Sequence, residues 1–171
     1  MITALTEISV SLLTFATIWI IIRTKNKKAG ITAMAVTAVI SIILELINEN
    51  VFPHEGTYYS NSLLHFPGAD FPVFIPILSA LYAVGISFSA IKIGYFFKKH
   101  PFFISVVCFF ILINTCFIIE YFFTQTGYWT YKVPGAVPLD IGFQVYIFYT
   151  ALTVPSFTII SFYKIKGDRQ R

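Results

Sequence analysis

Five apolar runs divide this chain, at about 2–22, 30–48, 72–95, 101–123 and 138–163, and each is long enough to cross the ~30 Å hydrocarbon core of a bilayer. A backbone in hydrocarbon has to satisfy its own hydrogen bonds, so runs of this length are confined to helices. The chain is 57% hydrophobic and only 12% charged, which places it outside the range of a soluble domain. The expectation is an all-α integral-membrane bundle of five transmembrane helices, forming a single domain over residues 1–171. No cleavable signal peptide is expected. The first run is too long for the apolar segment of one, no basic residues precede it, and no small-residue cleavage site follows.

The distribution of cations orients the bundle. Arg23, Lys25, Lys27 and Lys28 follow the first run, Lys92, Lys98 and Lys99 lie at or after the end of the third, and Lys164, Lys166, Arg169 and Arg171 close the fifth. Of the twelve Lys and Arg residues only Lys132 falls on the other side. By the positive-inside rule the N-terminus is outside and the C-terminus cytoplasmic. This pattern also accounts for the net charge of +4 without nucleic acid, whose binding needs a basic patch with its own fold.

Polar residues within the runs are few and therefore informative. Glu45, Asn48 and Glu49 close the second run at i, i+3, i+4 spacing and share one helix face, which has to turn to the bundle interior or to water. The inner half of that run is small (Ala33, Ala35, Ala38), as are Gly85, Ser87 and Ser89 in the third, and both suit close helix approach. Ser79 and Tyr82 are i, i+3 polar neighbours in the third run. Cys116, Glu120 and Thr124 share a face of the fourth, which starts at Pro101. The fifth opens at Pro138, places Asp140 and Gln144 on one face, adds Tyr146, Tyr149, Thr150 and Thr153 deeper in, and is expected to kink at Pro155. Glu7 and Trp19 are the only notable features of the first run, which reads as a packing and anchoring helix.

The long external connection, residues 50–71, holds His54, Glu55, His65 and Asp70, the right side chains for zinc. Their spacing matches no closed or catalytic zinc pattern, and a structured external loop with Tyr58 and Tyr59 in an aromatic belt is the favoured reading. Cys108 and Cys116 are eight residues apart in one helical run. The resulting rise of about 12 Å is too long for a disulfide, so they read as small core residues.

A weak duplication relates the second and third runs to the fourth and fifth. Each pair has a helix with a glutamate near its end (Glu45; Glu120), then aromatics (Tyr58 and Tyr59; Tyr128, Trp129 and Tyr131). Pro-Gly-Ala follows at 67–69 and 134–136, and a proline opens the next helix (Pro72; Pro138). Such hairpins would be parallel repeats about an axis along the membrane normal, bringing both glutamates to the outer end of one cavity.

The stretch from Glu120 through Gly127-Tyr128-Trp129-Thr130-Tyr131 to Pro138-Leu139-Asp140 resembles the integral-membrane lycopene cyclase domain and the related carotenoid hydratases. The likeness is best over Glu120 to Gln144 and fainter over Glu45 to Pro76. Asp140 is followed by Ile141 where the cyclases carry a second acid, and the chain is shorter than the hydratases. The resemblance implies a multi-pass protein of a prokaryotic cell membrane that acts on a long isoprenoid or carotenoid from the bilayer without a cofactor. Membrane lipid, a second copy or a partner membrane subunit are its other expected partners.

Cyclising or hydrating a polyene needs a proton delivered to an alkene and control of the carbocation that results. A carboxylic acid in a low-dielectric wall can hold that proton at neutral pH, and a second carboxylate can finish the reaction as base. Glu45 and Glu120, a few residues inside their helix ends, suit the donor role. Asp140, in the first turn of its helix beside water and a positive helix end, suits the role of base or orienter. Tyr58, Tyr59, Tyr128, Trp129 and Tyr131 offer aromatic faces to a cation, and Asn48, Tyr82 and Gln144 are further substrate-contacting candidates. No metal site is expected. The alternative is a non-enzymatic membrane subunit or a small transporter, with the acids paired or relaying protons.

Overall fold

The structure is a computed structural model that describes residues 27–51, 57–59, 67–69, 71–97, 99–125, 129–131 and 142–169. Within these, side chains are described except at 48–51, 57–59, 129–131, 142–144 and 165–169. The fold is helical. In chain order come α1 (Lys27–Val51), β1 (Thr57–Tyr59), α2 (Phe74–Phe96), α3 (Pro101–Ile113), α4 (Cys116–Gln125), β2 (Trp129–Tyr131) and α5 (Gly142–Arg169). Four stretches, Lys27–Ile47, Phe74–Phe96, Pro101–Gln125 and Val145–Lys164, are long and apolar enough to cross a membrane. The first apolar run, at 2–22, lies outside the described residues.

Helix α2 is the centre of the bundle and packs against α1, α3 and α5, while α1 and α5 also pack against each other. Side-chain pairs fix the directions. Tyr82 of α2 meets Ile113 at the end of α3, and Gly94 of α2 lies against Pro101 and Ser105 at its start, so these two helices are antiparallel. Phe109 of α3 stacks on Phe157 of α5 at 4.6 Å between ring centroids, and Lys164 of α5 lies 4.9 Å over the ring of Tyr95 of α2. Helices α2 and α5 therefore run the same way, against α3 and α4.

The α2–α3 approach is close because Gly94 brings no side chain to it. A Cβ there would stand 2.6 Å from the Pro101 carbonyl oxygen. Ser105, also in this contact, turns its hydroxyl back on that carbonyl at 2.8 Å. His100, directly before Pro101, takes the left-handed conformation at φ 53°, which ends the turn between the two helices.

The core joins Val84, Ile91, Phe109, Ile113, Cys116, Tyr149, Phe157 and Ile160 with Ala29 and Ala33 of α1. Outside it, Phe102, Phe103, Phe110, Ile111, Ile118 and Phe122 point away from the protein, with Phe103 68% exposed. A water-soluble bundle does not leave so many large apolar groups uncovered on one side, and hydrocarbon solvates them without cost.

β1 and β2 pair antiparallel, with Thr57 opposite Tyr131, Tyr58 opposite Thr130 and Tyr59 opposite Trp129. The ribbon ties the connection after α1 to the one after α4. β1 begins six residues past the end of α1, a reach of at most ~20 Å. The C-terminal ends of α1 and α4 thus lie at the same end of the bundle.

Several sequence expectations are corrected. Of the small residues in the third run, Ser87 is buried, whereas Gly85 and Ser89 are exposed and form no helix–helix contact surface among the described residues. In the second run Ala33 is buried while Ala35 is exposed, because the buried line of α1 advances by four residues from Ala29. The fourth run, expected as one helix, is broken at Asn114 and Thr115. Pro155 lies inside α5, at the position where the sequence places a kink.

Candidate functional site

The break between α3 and α4 builds the site, and its hydrogen bonds can be followed one by one. In a regular helix the Asn114 N–H would reach the Phe110 carbonyl and the Phe117 N–H that of Ile113. Instead the chain tightens: Asn114 N donates to Ile111 O at 3.3 Å, Thr115 N to Leu112 O at 3.0 Å and Phe117 N to Asn114 O at 3.2 Å. The carbonyls of Phe110 and Ile113 lose their helical donors, and an unpaired carbonyl in hydrocarbon is costly. Side chains replace them. The Asn114 amide donates to Phe110 O at 2.8 Å, and the Tyr82 hydroxyl, from α2, donates to Ile113 O at 2.9 Å. The Tyr82 oxygen also stands 3.1 Å from the Thr115 hydroxyl, which itself donates to Leu112 O at 2.7 Å.

Tyr82 is thereby fixed with its ring in the bundle, and Tyr149 of α5 packs on it edge to face at 5.2 Å between centroids. The Tyr149 hydroxyl in turn donates to Glu120 Oε1 at 2.8 Å. Tyr149 is 8% exposed, so this bond forms away from bulk water. Glu120 is half-buried, one helical turn beyond the fully buried Cys116, and the Thr124 hydroxyl caps the Glu120 carbonyl at 2.8 Å. Three helices, α2, α4 and α5, thus bring one carboxyl, two phenols and a thiol into one apolar setting.

Glu45 is placed independently. It is only 3% exposed, on the buried line of α1, which packs against α2 and α5. It lies six residues before the end of α1, and Glu120 five before the end of α4, distances of about 9 and 7.5 Å along the helices. Both of those ends face the ribbon, and both helices pack against α5.

The other expected site residues are placed less fully. Asn48 and Gln144 lie on α1 and α5, with side chains outside the described residues. Tyr58, Tyr59, Trp129 and Tyr131 belong to the ribbon by backbone register. Asp140, Tyr128, His54, Glu55, His65 and Asp70 lie outside the described residues. Cys108 and Cys116 are free thiols.

Two contributors were absent from the expected set. Tyr149 holds Glu120, and Thr115 belongs to the turn that Tyr82 completes. Each is a polar side chain in mid-span, a costly placement that signals a partner on another helix. Comparison with known proteins finds no match: no family model, no curated protein and no solved structure is similar to this chain.

Proposed function

We propose that this protein is a membrane-embedded, cofactor-independent enzyme that protonates a carbon–carbon double bond of a long isoprenoid or carotenoid chain. The observation that carries the reading is the Glu120 carboxyl held by the Tyr149 hydroxyl at 2.8 Å beside the Tyr82–Tyr149 aromatic pair. A proton donor, a group that orients it and two π faces able to stabilise a cation meet within an apolar bundle.

In the proposed reaction the carboxyl of Glu120 or Glu45 gives its proton to one alkene carbon. The π pair becomes the new C–H bond, and a carbocation is left on the other carbon. In cyclisation a neighbouring double bond attacks that cation and a proton leaves the adjacent carbon. In hydration a water oxygen attacks and the water loses a proton. Asp140 is the base that receives the proton in either case, so the sum consumes no oxidant or reductant. An apolar substrate enters from the bilayer between helices.

The same reading keeps the fifth span at 2–22, the N-terminus outside and the basic connections in the cytoplasm, in a prokaryotic cell membrane. It also keeps the two-hairpin repeat, which is supported by the antiparallel pairing of β1 and β2 from the two connections the repeat equates. A two-fold axis along the membrane normal relates strands lying in the membrane plane in just that sense.

The test is chemical. Mass spectrometry of the lipid extract carried by the purified protein should reveal a polyene or polyprenyl species, and adding that species back should change its mass or absorbance. Glu120→Gln, which keeps shape but carries no acidic proton, should abolish the change with folding intact. Wild-type conversion by Glu45→Gln, Glu120→Gln and Asp140→Asn alike would overturn the mechanism.

A further inference from the structure

Hydroxyl side chains in membrane helices ordinarily turn back on the carbonyl one turn earlier, and most of those described here do so. Ser87 bonds Ala83 O at 2.6 Å, Thr150 bonds Tyr146 O at 2.7 Å, Thr153 bonds Tyr149 O at 2.7 Å and Thr158 bonds Val154 O at 2.9 Å. Four buried hydroxyls do not. Thr37 and Ser41 of α1 and Ser156 and Ser161 of α5 find no hydrogen-bond partner among the described residues. Thr37, Ser41 and Ser156 are 0% exposed and Ser161 8%. Buried polar groups left unpaired are costly, and native proteins rarely carry several together.

Their positions form a pattern. Ala29, Ala33, Thr37, Ser41 and Glu45 succeed one another at i, i+4 spacing, a single buried ridge of α1 that changes from small to polar and ends in the carboxylate. On α5 the buried ridge Val145, Tyr149, Thr153, Phe157 and Ser161, with Ser156 beside it, runs the opposite way. The two helices pack against each other and both pack against α2. Glu45 and Tyr149 lie six and seven residues from the ribbon ends of their helices, about 9 and 10.5 Å along the axes. Measured from those two residues along their own helices, Ser41, Ser156, Thr37 and Ser161 follow at about 6, 10.5, 12 and 18 Å. The successive offsets along the axis, about 1.5 to 6 Å, are within what one or two waters span at ~2.8 Å per hydrogen bond.

We propose that these four hydroxyls bind a file of buried waters between α1, α2 and α5. The file leads from Glu45 and Tyr149 toward the end of the bundle where Lys164 covers Tyr95. The ligand is water, which buried hydroxyls without a protein partner take up. Its use, renewing the proton on the site carboxyl or delivering the attacking water, rests on the enzymatic reading above; its existence does not.

Two measurements test the file. Ser41→Ala, Ser156→Ala and Thr37→Val each remove one hydroxyl at nearly constant volume. If the hydroxyls are bound by water, each substitution lowers the melting temperature of the purified protein. Unchanged or raised melting temperatures overturn the proposal, since removing a dry, unpaired hydroxyl relieves the fold.

The second measurement uses silver ion as a small water-borne thiol reagent, in a Cys108→Ala, Cys116→Ala background that retains a cooperative melt. Ser41→Cys and Ser156→Cys should react about tenfold or more faster than the outward-facing Ile43→Cys and Val154→Cys, because a thiol ionises in water and not in hydrocarbon. Equal rates at all four positions overturn the proposal. A dry interior with polyene conversion intact removes the water file alone, and a hydrated one without conversion removes the enzymatic reading alone.

Discussion

The Tyr82 hydroxyl donates to the carbonyl oxygen of Ile113 at 2.9 Å, the carbonyl that loses its own helical donor where the chain breaks between α3 and α4. Sequence alone gives no warning of this break, since Ile113-Asn114-Thr115-Cys116 contains neither proline nor glycine. The break persists because a side chain from another helix completes its hydrogen bonding, and that side chain then carries the ring against which Tyr149 packs.

Tyr82→Phe should therefore destabilise the bundle. An unpaired buried carbonyl costs about 1–3 kcal/mol, whereas interhelical hydrogen bonds in membranes measure ~0.6–1.7 kcal/mol because the unfolded chain in the membrane also finds partners. The membrane reference applies here, so the expected loss is about 1 kcal/mol, read from unfolding in mixed detergent. A neutral result would mean that the break closes into a regular helix once the tyrosine is gone.

Gly94→Ala should cost more. Its Cβ would stand 2.6 Å from Pro101 O and 2.6 Å from Ser105 N, both backbone atoms that cannot swing aside. The α2–α3 pair has to separate, at about 1–3 kcal/mol for overpacking. Gly85→Ala is the internal control. Apart from its own helix backbone, no atom of the described residues lies within 4 Å of its Cβ position, and the gain in helix propensity, up to ~1 kcal/mol, should leave the variant as stable as the parent or more so. Equal losses at both glycines would contradict the close α2–α3 crossing.

The four described spans were legible because length and hydropathy alone define them, and the start of α3 because Pro101 marks it. The buried faces were not. Helix α3 buries Phe109 and Ile113 while exposing Phe102, Phe103, Phe110 and Ile111, so its apolar residues surround it and no periodicity selects a side. In lipid, apolar residues suit both the core and the surface, and only small and polar groups discriminate. That is why Glu45 could be assigned to the interior from its residue type, whereas Gly85 and Ser89, small but outward-facing, misled. The β1–β2 pairing joins segments some seventy residues apart, a long-range match that local pattern does not encode.

The proposed orientation rests on the cations and can be checked apart from any activity. A cysteine at position 61 in a Cys108→Ala, Cys116→Ala background should react with an impermeant thiol reagent added to intact cells, and one at position 26 should react only after lysis. The reverse pattern would place the ribbon end of the bundle in the cytoplasm. The Glu120 level would then face the wrong side for the proposed arrangement.

Tyr149→Phe separates positioning from packing. The substitution keeps the ring that meets Tyr82 at 5.2 Å and deletes only the hydroxyl that donates to Glu120 Oε1. If Glu120 is the proton donor, the loss lets its carboxyl rotate within the apolar wall. A misplacement of about 1 Å in a reacting group can cost ~100-fold in rate. The expected result is a fall in kcat of that order with KM for the polyene little changed, because the hydroxyl is engaged by the carboxyl and leaves the substrate-facing ring in place. A purely structural role predicts something different: a lower melting temperature, with kcat intact for the fraction that remains folded.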